Sequence, residues 1–145
     1  MRSALPASLF LGLAIITSSC ARQCCQDCGP RGEVVNQTYV HKYGVTIPKN
    51  EWSDRGKTGQ VVSTLKTGVV VTKTYSDGNL HGETTYTFPH SRAIERVETY
   101  SQGHLIKTRE NHLSGAPKME IDFPSPEEKT VVVWYEDGTP HYRET

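Results

Sequence analysis

The chain is 145 residues long, room for about one ordinary domain, and 35% of it is hydrophobic. Sixteen Lys and Arg balance sixteen Asp and Glu, so it carries no basic footprint for nucleic acid or for anionic lipid headgroups. Neither sign runs in a long block, which excludes an electrostatic tail.

Near the N-terminus, Arg2 precedes "LFLGLAII" (Leu9 to Ile16), an uninterrupted apolar stretch. It has the length of a signal-peptide core and falls short of the roughly 18–20 residues that span a bilayer. Small residues then lead into Cys20, so residues 1–19 are expected to be a signal peptide. "ITSSCA" resembles the lipobox of bacterial lipoproteins, although Thr17 stands where that pattern usually has Leu. The resemblance implies that Cys20 becomes the first mature residue, with a diacylglycerol thioether on sulfur and an acylated amine. Burial of acyl chains yields roughly 0.8 kcal/mol per CH₂, so several chains on one residue anchor firmly. Ordinary secretory cleavage after Ser19 or Ala21 is the alternative.

The cysteines agree with export. Cys20, Cys24, Cys25 and Cys28 crowd together and the rest of the chain has none, so they cannot staple the fold. "CQDC" lacks the second ligand pair of a zinc ribbon and the βαβ context of a redox site. Residues 20–33 are therefore read as a membrane-proximal tether, with local disulfides or extra acylation and no metal.

Residues 34–58 mix strand-like pieces with the turn punctuation "PKNEWSDRGKTG". They are expected to form an N-terminal cap in which Tyr39, Tyr43, Val45, Ile47 and Trp52 cover the end of a sheet. Residues 59–145 then read as short β-branched runs separated by glycine turns, with Pro89, Pro117, Pro124 and Pro126 between them. The class is all-β: an antiparallel meander of β-hairpin repeats.

Within it, Tyr75, Tyr100 and Tyr135 each stand three residues before a glycine: Gly78, Gly103 and Gly138. "LSG" at Gly115 and "KTG" at Gly68 are weaker turns of the same kind. The residue before each glycine varies, and Gln or Thr resists the positive φ that a type I′ turn demands. A type I turn with a G1 bulge, strained only at the glycine, is thus expected throughout. Period two puts Val71, Lys73 and Tyr75 on one face, and likewise Arg96, Glu98 and Tyr100. Neither face is apolar throughout, which favours a thin, elongated sheet over a barrel.

"YSDGNLHG" with its flanking tyrosines resembles the MORN-like repeats, which include the bacterial hairpin-repeat proteins termed YwqK-type antitoxins. The resemblance covers about residues 59–141, with intervals of 25 and then 35 residues between the three glycines. It implies a single-layer ladder of hairpins that binds or scaffolds without catalysis.

No G-x-S-x-G elbow, phosphate loop or H-E-x-x-H is present, and neither a catalytic residue nor a cofactor is expected. Asp77 and Asp137 read as turn formers. His81, His104 and His141 lack a regular spacing and read as solvated strand residues. Tyr75, Tyr100, Trp134 and Tyr135 are the candidate binding residues, since rows of Tyr and Trp mark binding surfaces; cross-strand packing is their competing role. The expectation is a lipid-anchored envelope protein, periplasmic or surface-exposed. Its non-catalytic module would meet the membrane through its lipid and a protein or envelope partner through the sheet. The alternatives are an antitoxin-like cytosolic binder and, behind it, a small secreted cell-wall hydrolase.

Overall fold

The structure, a computed structural model, describes residues 32–145. The expected signal peptide, Cys20, Cys24, Cys25 and Cys28 lie outside the described residues. Residues 32–145 build one antiparallel sheet of ten strands: β1 (Val34–His41), β2 (Thr46–Ile47), β3 (Gly59–Leu65), β4 (Val70–Ser76), β5 (Asn79–Thr87), β6 (Ile94–Ser101), β7 (His104–Asn111), β8 (Pro117–Ser125), β9 (Glu128–Trp134) and β10 (Pro140–Glu144). From β3 to β10 each strand pairs with the next in sequence, so the all-β hairpin meander is what the chain adopts.

The start of the sheet departs from a pure meander. β2 folds back on the outer side of β1, and β3 returns on its inner side. Between them, residues read as turn punctuation form a short helix, α1 (Lys49–Asp54), capped by Pro48 and ended where Gly56 and Lys57 turn to positive φ. One side chain of α1, Trp52, is buried, and that contact explains how six residues without helical periodicity hold a helix. β3 can begin beside β1 only because residue 59 is glycine. Its φ is +138°, and a Cβ there would lie 2.1 Å from the Val40 carbonyl oxygen.

Register places Tyr39, Val61, Lys73, Thr84, Glu98, Thr108, Ile121 and Val131 in one row across one face. All the buried apolar residues except Val97, which alternation along β6 turns to the other face, collect in two groups. Ile47, Trp52 and Val61 pack with Tyr39 and Tyr75, while Leu65, Val69 and Val71 pack with Tyr86. Past β6 no described side chain is fully buried. Tyr43 and Val45, expected to help cover the sheet, instead point outward with 77% and 57% of their surface exposed. They occupy the tight turn His41–Val45, where Gly44 N–H donates to the His41 carbonyl and His41 N–H to the Val45 carbonyl. A five-residue reversal leaves the side chains at its tip no surface to lie on.

The turns fall into two sets, one at each end of the sheet. After β3, β5, β7 and β9, the carbonyls of Leu65, Phe88, His112 and Tyr135 accept from the N–H three residues on. These four acceptors are 23, 24 and 23 residues apart, which gives the true period of the chain: one two-stranded hairpin of about two dozen residues. Gly68, Gly115 and Gly138 belong to this set and have the bulged form expected of them.

Gly78 and Gly103 lie at the opposite end, and here the expected turn type is overturned. Asp77 and Gln102 both have positive φ, 50° and 49°, so the loops after β4 and β6 are two-residue type I′ turns. Left-handed backbone costs a non-glycine residue roughly 1–2 kcal/mol. Each loop, however, finds acceptors for both of its central amides. Asp77 N–H donates to Thr58 Oγ1 (3.0 Å) and Gly78 N–H to the Lys57 carbonyl (3.2 Å). Gln102 N–H donates to His81 Nδ1 (3.3 Å) and Gly103 N–H to the Leu80 carbonyl (2.7 Å). Two such bonds, at about 0.5–1.5 kcal/mol each, offset the strain. The strand twist favours the same turn. The third loop of the set carries Pro126, which has neither the φ nor the N–H for this arrangement.

Candidate functional site

Two strands supply the densest polar cluster on the common face. Alternation along β5 sets Thr84 and Tyr86 on it, and alternation along β6 sets Arg96, Glu98 and Tyr100 beside them. Glu98 is the hub. Its Oε2 accepts from the Tyr86 hydroxyl at 2.9 Å and from the Tyr100 hydroxyl at 3.0 Å. The Arg96 guanidinium stacks over the Tyr86 ring, 4.3 Å from its centroid, and brings Nε to 3.3 Å from Glu98 Oε1. That last contact is an ion pair by distance without the alignment of a hydrogen bond. Thr84, the most buried side chain, lies between the strands with its hydroxyl unpartnered among the described residues.

Burial, and then the charge and hydrogen bond of Glu98, hold the Tyr86 phenol well above its ordinary value of 10.0, with Arg96 opposing. The cluster is a carboxylate clamped by two phenol hydroxyls and a guanidinium. It fixes β5 and β6 against each other in a sheet that has no second layer among the described residues. No local motif announces these residues. The one available sign was that Arg96, Glu98 and Tyr100 alternate onto a single face.

The four aromatic candidates do not form one surface. Tyr75 packs edge-on against Trp52, with centroids 6.2 Å apart, and belongs to the core. Tyr100 belongs to the Glu98 cluster at the same end of the sheet. Trp134 closes β9 at the other end, opposite Pro140. Tyr135 lies beyond the strand as the first residue of a turn, half-exposed, with its ring 4.3 Å from that of His141. The cause is the split between turn types. A glycine third in a type I′ loop leaves the tyrosine inside the strand, whereas a glycine fourth in a bulged turn puts it at the reversal.

The remaining candidates divide in the same way. Asp137 Oδ1 accepts from the Thr139 hydroxyl and amide at 2.6 and 2.8 Å, which holds its carboxyl below the usual carboxylate range. Asp77 Oδ1 accepts from Thr58 Oγ1 at 3.3 Å. Both aspartates thus shape turns, as their position predicts. His81 serves the Gln102 amide and His141 stacks on Tyr135. Among the described residues, no three His, Cys, Asp or Glu side chains group as metal ligands, and no helix is long and apolar enough to cross a membrane. The sequence matches no family model and no curated protein.

Proposed function

We propose that the protein is a lipid-anchored component of a bacterial cell envelope whose MORN-like hairpin sheet is a non-catalytic interaction module. The observation that carries the anchoring is the apolar run Leu9–Ile16 leading through small residues to Cys20. The reading of the sheet as a binding module is supported by its open construction. Among the described residues no layer covers either face of β7 to β10, and the common face there offers half-buried Met119, Ile121, Val131 and Val133 to a partner.

Membrane flotation tests the proposal. The wild-type chain is expected to rise with the lipid and to incorporate labelled fatty acid. Cys20→Ser is expected to lose the label and remain in the aqueous fraction. Equal labelling and flotation of the Cys20→Ser chain would contradict it, and a soluble cytosolic wild type would return the antitoxin-like reading.

A further inference from the structure

Charge is balanced over the whole chain but not along it. Residues 117–145 hold seven Asp and Glu against three Lys and Arg. Two of these carboxylates, Glu120 and Asp122, are taken up by Lys107 Nζ at 2.7 and 3.4 Å. Lys107, Arg109 and Arg143 stand in rows with Thr99, Val97 and Val132, on the face opposite the common one. The common face of the last strands is apolar with an acidic margin. Met119, Val133 and Tyr142 stand side by side on β8, β9 and β10, with Ile121 and Val131 in the next row. Glu110 on β7 and Glu144 on β10 end these rows, and Lys118 approaches Glu110 only to 3.9 Å. Glu144 also lines a groove of about 570 Å³ with Glu127, Glu128 and Lys129.

We propose that this strip receives an amphipathic helix of a partner protein, with basic side chains around its apolar stripe. The inference deepens the reading of the sheet as an interaction module and rests on it. The chain itself sets the precedent for a helix on this face. α1 lays Trp52 against Tyr39, Val61 and Tyr75, on the same face at the β1 side of the sheet. Strands lie about 4.8 Å apart, so the row from Met119 to Tyr142 is about 10 Å long. Two turns of helix, about 11 Å, match that length and present apolar side chains at i, i+3, i+4 and i+7. Lys or Arg around the stripe then meet Glu110, Glu144 and the carboxylates of the groove. Charges at such a margin select the partner and speed encounter more than they add affinity. They repel an acidic helix and an anionic lipid surface alike.

The test applies two synthetic peptides to the full-length protein in an uncharged detergent. Each is an amphipathic helix of about four turns with a leucine stripe that carries one benzophenone. One peptide has lysine on its polar face and the other glutamate. Photolysis is expected to attach the lysine peptide at Met119, Ile121, Val131 or Val133, in a yield at least about fivefold above that of the glutamate peptide. Glu127→Gln/Glu128→Gln/Glu144→Gln should lower the yield by a similar factor. Glutamine keeps an oxygen to accept from Ser125 and Tyr142, so these changes spare the local structure. Ile121→Thr should weaken attachment, whereas Val132→Thr, on the opposite face of β9, should leave it unchanged. Attachment confined to the opposite face would overturn this site and leave the sheet an interaction module. Equal yields from the two peptides, or from the wild type and the glutamine variant, would overturn the selection for basic partners. Attachment of neither peptide anywhere on the sheet would overturn the proposal together with the reading beneath it.

Discussion

Trp52→Ala is expected to cost about 3–5 kcal/mol, the range for deleting a buried aromatic side chain. Few residues in this chain have so many dependents. Trp52 is the buried residue of α1 and the centre of one of the two apolar groups, with Tyr39 at 5.6 Å and Tyr75 at 6.2 Å between ring centroids. α1 is too short to persist without that contact, and α1 joins β2 to β3. Domains of this size are stable by only about 5–15 kcal/mol, so the variant loses a large share of the total. Thermal unfolding followed by circular dichroism should show a midpoint more than about 10 °C lower. Trp52→Phe, which keeps an aromatic ring in place, should recover much of the difference. A midpoint within about 3 °C of wild type would mean that the helix and its tryptophan do not hold the sheet together.

Glu98→Ala is the second large effect, about 2–4 kcal/mol, because it takes an acceptor or a counter-charge from three side chains rather than one. The Tyr86 hydroxyl is buried and loses its acceptor, Tyr100 loses the same oxygen, and Arg96 loses its counter-charge. Alkaline pH reaches the cluster from the other side. The folded chain holds the Tyr86 proton above the ordinary value of 10.0 that applies after unfolding. The stabilisation from that protonated phenol is complete below pH 10 and declines as the pH rises further. The decline is about 1.4 kcal/mol per pH unit until the folded phenol itself ionises. Chemical denaturation between pH 9 and 11.5 should show this slope. Tyr86→Phe should remove its contribution, and Glu98→Ala should leave part of it, since burial is the larger cause. An unchanged slope in Tyr86→Phe would assign the alkaline sensitivity elsewhere.

Much of the architecture could be read from local chemistry. Glycines between β-branched runs marked nearly every reversal, and period two correctly grouped Val71 with Lys73 and Tyr75. What local chemistry could not carry was the surroundings of each turn. Gln102 adopts left-handed backbone because His81 and Leu80, on the neighbouring hairpin, accept from its loop, and no propensity of Gln contains that. The same blindness joined Gly138 to Gly78 and Gly103. The three share a tyrosine three residues earlier, yet Gly138 lies at the opposite end, with Gly68 and Gly115 as its structural relatives. Aligning the turns by hydrogen bonding replaces intervals of 25 and 35 residues with a nearly constant 23 or 24. Ser91 occupies the place that glycine holds in the other three turns, which hid the fourth member.

The candidate site was less legible than the fold. Tyr86 and Glu98 are 12 residues apart and meet only through the β5–β6 register. Thr84 is the most buried side chain although threonine announces nothing. Conversely, Tyr43 and Val45 had the composition of core residues and lie at an exposed tip. In a sheet with one sparse layer, the side of a strand and the place along it decide burial more than residue type does.

The mass of the mature N-terminal peptide, taken from protein purified out of membranes, tests the central claim most directly. The account predicts that this peptide begins at Cys20 and carries the added mass of a diacylglyceryl group and an amide-linked acyl chain. An unmodified terminus at Cys20 or Arg22, or an intact Met1–Ser19 segment, would contradict it.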